Sequence, residues 1–89
     1  MGWKTENPGG RYRVVVTKDL PGDRWREILV HAGCELRIST SSEILSPEEI
    51  QSAIGPRCDA AIGQLTEPWS EPLFDALAQA GGRAYSNYS

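Results

Sequence analysis

Two spacings of apolar residues alternate along this sequence, one typical of β-strands and the other typical of α-helices. Short runs of consecutive or alternating apolar residues predict four strands. These strands cover residues 13–17, 35–39, 59–65 and 83–87. Between them, apolar residues recur at intervals of three and four, which predicts three amphipathic helices. The predicted buried stripes are Trp25, Ile28, Leu29 and Ala32 in the first helix, Ile50, Ala53 and Ile54 in the second, and Leu73, Ala76, Leu77 and Ala80 in the third.

The second helix has the clearest start signal. Ser46 precedes Pro47, a residue that favours the first helical position, and Glu49 follows three residues after Ser46. This spacing predicts a capping box, in which the two polar side chains each bond a backbone N–H at the start of the helix. Gly55 and Pro56 end the same helix. For the other two helices, the predicted N-caps and terminating glycines are Asp23 with Gly33 and Ser70 with Gly81.

Strands that alternate with helices predict an α/β fold, because each helix carries the chain back across the sheet to a parallel neighbour. The order β-α-β-α-β-α-β predicts a flavodoxin-like layout: a four-stranded parallel sheet, helices on both faces, and the strand at 35–39 on an edge. In such sheets, ligands bind where the carboxyl ends of the first and third strands meet. The residues expected at this edge are Lys18, Asp19, Gln64, Leu65 and Thr66.

Composition and charge narrow the classes of function. The 89 residues have room for one compact domain. The formal charge of −3 gives no electrostatic reason to bind nucleic acid or an anionic membrane, and no apolar run approaches the roughly 18 residues of a membrane span. Residues 1–11 are polar and lack the apolar core of a signal peptide, so we interpret them as a flexible leader. We therefore expect an intracellular protein without a nucleic-acid or membrane partner.

Few residues have the spacing of a catalytic or metal site. Cys34 and Cys58 stand alone, without paired CxxC spacing, and are predicted to be small core residues. His31 falls late in the first helix, where the helix dipole favours a histidine that has no catalytic role. No GxGxxG motif joins a strand to a helix, so the segment does not have the fingerprint of a nicotinamide cofactor site. We expect no catalytic, cofactor-binding or metal-ligating residue in this chain.

Two alternative functions fit the same topology. A phosphoacceptor receiver domain needs an aspartate at the end of the third strand, where this chain has Gln64. A standalone flavodoxin-like interaction module without catalysis would present Trp69 and the third helix to a protein partner. Trp69 also stands directly before the predicted cap at Ser70, and a hydrophobic staple on Phe74 is the simpler explanation of its position.

Five segments of the chain together resemble the opening of a known enzyme family. The most specific is Gly-Gln-Leu-Thr-Glu at 63–67, followed two residues later by a capped helix. Ile62 precedes it in the same segment, and the other segments are 12–18, 21–22 with 24–25, 58–59 and 80–87. Together they resemble the plant-type NADH-dependent hydroxypyruvate reductases, which belong to the D-2-hydroxyacid dehydrogenases. The similarity extends from Arg11 to Tyr88.

The resemblance implies an enzyme with two domains, a substrate domain and a Rossmann cofactor domain. Residues 12–89 would be the N-terminal portion of the substrate domain, after the leader at 1–11, and the Rossmann domain would be absent from this chain. Such enzymes reduce small 2-oxo acids, among them hydroxypyruvate and glyoxylate, with NADH or NADPH. They are usually homodimers, in peroxisomes or the cytoplasm. Their catalytic histidine, glutamate and arginine lie downstream of the position equivalent to residue 89, so the isolated chain is predicted to be inactive.

Only one loop of this chain matches a loop that forms part of a binding site in the family. Gln64, Leu65 and Thr66 match the loop after the third strand, which faces the substrate cleft, and the implied role is to shape and close the pocket. Turn chemistry alone offers another role for Gln64 and Thr66, since such residues also cap backbone groups at a strand end. The chain stops on a strand that nothing covers, and we therefore expect it to be an N-terminal piece of a larger domain.

Overall fold

The residues that the structure describes, 2–64 and 66–88 of a computed structural model, form eight helices and strands. Five are strands and three are helices. In chain order they are β1 (Trp3–Glu6), β2 (Tyr12–Val16), α1 (Arg24–His31), β3 (Cys34–Ser39), α2 (Pro47–Ile54), β4 (Ala60–Gln64), α3 (Glu71–Gln79) and β5 (Ala84–Tyr88). Within the same residues, no helix is long and apolar enough to cross a membrane.

The strands form one mixed sheet in the order β1-β3-β2-β4-β5. Four of them, β3, β2, β4 and β5, run parallel to their neighbours, and β1 runs antiparallel to β3. The predicted α/β class is confirmed. The prediction of a sheet with four strands, all of them parallel, is wrong, because a segment before the first predicted strand adds a fifth strand in the opposite direction.

The added strand β1 lies within residues 1–11, the segment that the sequence predicted to be a flexible leader. Trp3 pairs with Ser39 and Glu6 with Leu36, so part of this leader is an edge strand. The chain then reverses through a turn, in which Asn7 has a φ of 55° and its carbonyl accepts from the N–H of Gly10 at 3.2 Å. A four-residue strand with two charged residues has too little apolar pattern to be recognised.

Glycine at position 10 allows this turn to pass close to β3. A Cβ there would lie 2.6 Å from the backbone nitrogen of Glu35, which is closer than a side chain tolerates. The turn places β1 beside β3, and the predicted edge position of residues 35–39 is therefore wrong. Leu36 and Ile38 of β3 are fully buried, as expected of an internal strand.

Helices cover both faces of the sheet, as predicted. Successive side chains of β2 lie on opposite faces of the sheet. Val15 packs on the side of α2 and α3, and Val14 and Val16 pack on the side of α1. The buried residues on the first side are Val15, Leu45, Ile50, Ala53, Ile54, Cys58, Ala61, Leu73, Leu77 and Ala80. Those on the second side are Val14, Val16, Leu20, Cys34, Leu36 and Ile38.

Helix α2 begins and ends as predicted. The hydroxyl of Ser46 accepts from the backbone N–H of Glu49 at 3.1 Å, and the carboxylate of Glu49 accepts from the backbone N–H of Ser46 at 3.0 Å. This is the predicted capping box, with Pro47 at the first helical position. Gly55 ends the helix with a φ of 62°. The predicted stripe of α2 is buried, and in the stripe of α3 only Ala76 is half-buried.

Helix α1 presents a different face to the sheet from the one predicted. Trp25 and Leu29 of the predicted stripe are half-buried, but Ile28 is 53% exposed and Ala32 is also exposed. Val30, outside the predicted stripe, is half-buried and packs against the sheet. No residue of α1 is buried.

An arginine explains the rotation of α1. The guanidinium of Arg26 bonds one carboxylate oxygen of Asp19 at 3.0 Å and one of Asp23 at 3.3 Å. Asp19 lies in the loop after β2, so these bonds turn Arg26 toward the sheet. Because each helical residue is offset by about 100° from the next, Val30, four residues later, lies on the same face as Arg26 and also turns inward. Asp23 occupies the predicted N-cap position of α1, but its side chain pairs with Arg26 and makes no cap bond.

Candidate functional site

The sheet brings two of the predicted loop segments to one edge. The carboxyl ends of β2 and β4 are neighbours, since Val16 pairs with Ile62 and the backbone N–H of Thr17 donates to the carbonyl of Ile62 at 3.0 Å. Lys18 and Asp19 follow β2, Gln64 is the last residue of β4, and Thr66 comes after it. The predicted site residue Leu65 lies outside the described residues.

Asp19 forms two ion pairs at this edge. Its carboxylate accepts from the ammonium of Lys4 at 3.0 Å and from the guanidinium of Arg26 at 3.0 Å. The hydrogen bond and positive charge of Lys4, together with Arg26, lower the pKa of Asp19 below its ordinary value of 3.8, although partial burial opposes the shift. Asp19 thus connects β1, the loop after β2 and helix α1 through its charge.

Among the described residues at this edge, the side chain of Glu67 accepts the most hydrogen bonds; the sequence analysis included it in the segment 63–67 but assigned it no role. One of its carboxylate oxygens, Oε1, accepts from the hydroxyl of Thr17 at 2.7 Å, the backbone N–H of Gln64 at 3.0 Å and the indole N–H of Trp69 at 2.9 Å. The backbone N–H of Glu67 in turn donates to the carbonyl of Gln64 at 3.1 Å. The one available sequence signal is a carboxylate three residues after a strand end, a spacing that permits this reciprocal pair of bonds.

Three aromatic rings pack beside Glu67. The ring centroids of Trp69 and Phe74 are 5.3 Å apart, which confirms the predicted staple. Tyr85 of β5 completes the cluster, 4.5 Å from Trp69 and, edge-on, 5.0 Å from Phe74. Burial and the charge of Glu67 raise the pKa of Tyr85, whose hydroxyl bonds the side chain of Asn87. Because Trp69 is engaged internally, this arrangement does not favour Trp69 as a contact for a protein partner.

The cluster requires glycine at position 63 of β4. A Cβ on Gly63 would lie 2.5 Å from the indole nitrogen of Trp69 and 2.6 Å from the hydroxyl oxygen of Tyr85. Both rings therefore rest directly on the backbone of β4.

An open cavity of about 250 Å³ lies over this cluster. Its lining residues are Gln64, Glu67, Trp69, Phe74, Tyr85 and Asn87. Among the described residues, the side chains of Gln64 and Thr66 make no hydrogen bond, and the bond from the backbone N–H of Gln64 goes to Glu67. The volume lies below the roughly 300–1,000 Å³ of ligand pockets, as expected if this surface forms one wall of a larger cleft.

The remaining candidate residues occupy ordinary positions. Cys34 and Cys58 are free and buried, which confirms their predicted place in the core, and burial raises the pKa of both thiols. His31 is exposed in the last turn of α1. Within residues 2–64 and 66–88, no three His, Cys, Asp or Glu side chains lie close enough together to hold a metal ion.

The sequence was also compared with known proteins. It is 54% identical over 82 residues to glycerate dehydrogenase of Cucumis sativus, an alignment that covers 91% of this chain and 22% of the relative. It is 55% identical over 82 residues to the peroxisomal glycerate dehydrogenase HPR of Arabidopsis thaliana, covering 91% of this chain and 21% of the relative. No family model and no solved structure matches the chain.

These relatives confirm the resemblance found in the sequence. The chain is similar to an N-terminal fragment of plant glycerate dehydrogenase, an oxidoreductase, and spans about a fifth of the length of the relatives it matches.

Proposed function

We propose that this chain is the N-terminal portion of the substrate domain of a D-2-hydroxyacid dehydrogenase that reduces hydroxypyruvate or glyoxylate with NADH or NADPH. The observation that carries the proposal is the identity of 54% over 82 residues to a glycerate dehydrogenase. Removal of two hydrogens from the 2-hydroxyl and C2 of glycerate produces hydroxypyruvate. An enzyme with that name therefore acts on hydroxypyruvate in the reverse direction.

The arrangement of the sheet supports this proposal. The parallel strands β3-β2-β4-β5, with helices on both faces, are compatible with the flavodoxin-like layout that we propose. Ligands of such sheets bind at the carboxyl edge beside the point where the chain changes direction, between β2 and β4. Gln64 and Thr66 lie at that edge with side chains that make no hydrogen bond among the described residues. Together with Leu65, they would shape and close the substrate pocket.

The proposal assigns no proton or hydride transfer to this chain. A nicotinamide cofactor, when bound, would supply the hydride to the carbonyl carbon of the 2-oxo acid, and a proton from outside this chain would complete the hydroxyl. The loop between β2 and α1 does not fit its pyrophosphate, because Asp19 and Asp23 place two carboxylates there. The cofactor site and the catalytic histidine, glutamate and arginine would belong to the remainder of the enzyme.

The proposal extends to the setting of the whole enzyme. One relative is named as peroxisomal, so we place the enzyme in peroxisomes or the cytoplasm. We expect the full-length enzyme to be a homodimer, as is usual for the D-2-hydroxyacid dehydrogenases.

A chimeric enzyme tests the proposal. In this chimera, the matched 82-residue segment of the cucumber glycerate dehydrogenase is replaced by the corresponding residues of this chain. We expect the chimera to oxidise NADH when hydroxypyruvate is added. The isolated chain should neither do so nor change NADH fluorescence.

Two results would overturn the proposal. One is a chimera that unfolds cooperatively at the temperature of the cucumber enzyme but reduces neither hydroxypyruvate nor glyoxylate. The other is reduction of hydroxypyruvate by the isolated chain. The unmodified cucumber enzyme, assayed in parallel, shows that the assay conditions support turnover.

A further inference from the structure

Glu67 bonds residues that lie beside three different elements of the fold. Thr17 follows β2, Gln64 ends β4, and Trp69 precedes α3, and all three donate to the same oxygen of Glu67 at 2.7–3.0 Å. The donor at Thr17 comes from a residue that is 2% exposed. A single carboxylate therefore attaches the loop after β4 to the interior of the sheet.

An ionised carboxylate suits this position better than any neutral side chain. Hydrogen bonds to a charged acceptor are about twice as strong as those between neutral groups. A glutamine keeps an acceptor oxygen for the three donors, but it removes the negative charge and puts an N–H₂ group in place of the second carboxylate oxygen. An aspartate is shorter by one methylene and would have to draw the loop inward to reach the same donors.

The bonds to Glu67 determine where the loop lies. The backbone N–H of Gln64 and the carbonyl of Gln64 both bond Glu67, which fixes Glu67 against the end of β4. On the other side of the turn, the indole of Trp69 is pressed against Gly63 and Tyr85. The loop is therefore anchored at Gln64 and at Trp69, with Thr66 exposed between the anchors.

We propose that Glu67 is a positioning residue, whose carboxylate holds Gln64 and Thr66 where they bind the 2-oxo acid. This inference rests on the proposed function. In this role Glu67 acts through the loop, by the bonds of its Oε1 to Thr17, Gln64 and Trp69. Since the loop would contact the substrate before and during reaction alike, loss of Glu67 weakens substrate binding rather than the chemical step.

The test uses the chimera with Glu67→Gln and Glu67→Asp. Loss of one charge-assisted bond corresponds to about a tenfold change in an equilibrium constant. We expect KM for hydroxypyruvate to rise about tenfold or more in both variants, with kcat and KM for NADH changed less than about twofold. Hydrogen exchange of the peptide spanning 62–69 should quicken, and that of α2 should not.

Two further variants sharpen the test. Glu71→Gln removes an exposed carboxylate in the first turn of α3, four residues away, and should leave all three kinetic constants unchanged. Thr17→Val removes one donor to Glu67 while keeping the volume of the side chain. It should raise KM for hydroxypyruvate alone, and it should add little when combined with Glu67→Gln, because the bond is already lost.

The outcomes separate this inference from the proposed function. If the chimera with Glu67 is active and both Glu67 variants keep KM for hydroxypyruvate within twofold, the inference is wrong and the proposed function stands. Equal losses in kcat and in thermal stability, with KM unchanged, would also overturn it, since they indicate a general structural role. If the folded chimera is inactive, the proposed function fails. Hydrogen exchange of the peptide 62–69 still tests whether Glu67 anchors the loop. Exchange rates in the Glu67→Gln variant that equal those of the parent would contradict the anchoring.

Discussion

The two faces of the sheet are held in different ways. On the face of α2 and α3, the helices themselves bury Ile50, Ile54 and Leu73, and the apolar cluster is continuous with the sheet. On the face of α1, the buried residues come from the strands and the loop after β2, and the helix contributes none. Helix α1 is held by partial packing, by Arg26 on Asp19, and by the indole of Trp25 on the carbonyl of Gly22 at 3.1 Å.

This contrast shows that helices with the same apolar spacing can contribute different amounts to the stability of the fold. An open groove of about 440 Å³, lined by apolar side chains that include Leu20, Trp25 and Ile28, remains beside α1. The face of α2 and α3 should therefore carry most of the stability, whereas the face of α1 should respond mainly to charge and ionic strength.

The largest effect is expected from Ile50→Ala, in the centre of α2. Ile50 is fully buried, and its truncation leaves a cavity in the main cluster. We expect the free energy of unfolding to fall by about 2–5 kcal/mol. Urea unfolding followed by circular dichroism measures it, and a loss below about 1 kcal/mol would show that this face is not the principal core.

Gly63→Ala should have the next largest effect. The added methyl group would meet the indole of Trp69 and the hydroxyl of Tyr85, and neither rigid ring can yield without leaving the cluster. We expect a loss of about 1–3 kcal/mol, together with a shift in tryptophan emission. Ala61→Gly serves as a control for backbone flexibility at a buried position of the same strand. A Gly63→Ala variant as stable as the parent would mean that the rings do not rest on β4.

The pH dependence of stability tests the charged contacts of α1. The pKa of Asp19 is lower in the folded chain than its ordinary value of 3.8. Its contribution is therefore complete above the pKa of the unfolded chain and is lost as pH falls through the lower folded value. We expect the difference in unfolding free energy between the parent and Asp19→Asn to be constant above about pH 5 and to shrink at lower pH.

Because Asp19 is 40% exposed, this difference should be small and should decrease in added salt. A difference that grows as pH falls, or that does not respond to salt, would contradict the assignment of its ion pairs.

The smallest effect is expected from Ile28→Ala. More than half of the Ile28 side chain is exposed, so its truncation removes little buried area. We expect a change within about 0.5 kcal/mol in the same urea measurement. A loss comparable to that of Ile50→Ala would remove the distinction between the two faces.

The sequence predicted those features that depend on local chemistry. The capping box of α2, the staple of Trp69 on Phe74, and the strands at β2, β3, β4 and β5 all follow from neighbours within a few residues. The cap and the staple join residues three and five positions apart, and each of these strands has an apolar pattern that is visible in its own segment. The edge that carries the candidate site was predictable as well, because topology alone brings the ends of β2 and β4 together.

The features that were missed depend on contacts between distant segments. Strand β1 exists because β3 offers an open edge to a short polar segment, which shows no strand pattern by itself. The face of α1 depends on Asp19, seven residues before Arg26. Glu67 is recognised only when Thr17, 50 residues earlier, is found beside it. None of these pairs has a signature in local periodicity.

The most direct test of the account is hydrogen exchange of the chimera with and without hydroxypyruvate, in the presence of oxidised cofactor so that no turnover occurs. We expect the substrate to slow exchange, within this segment, in the peptide that spans 62–69, and to leave α1 and α2 unchanged. Protection of α1 or of the opposite edge of the sheet, with none at 62–69, would contradict the assignment of the loop after β4 to the substrate pocket.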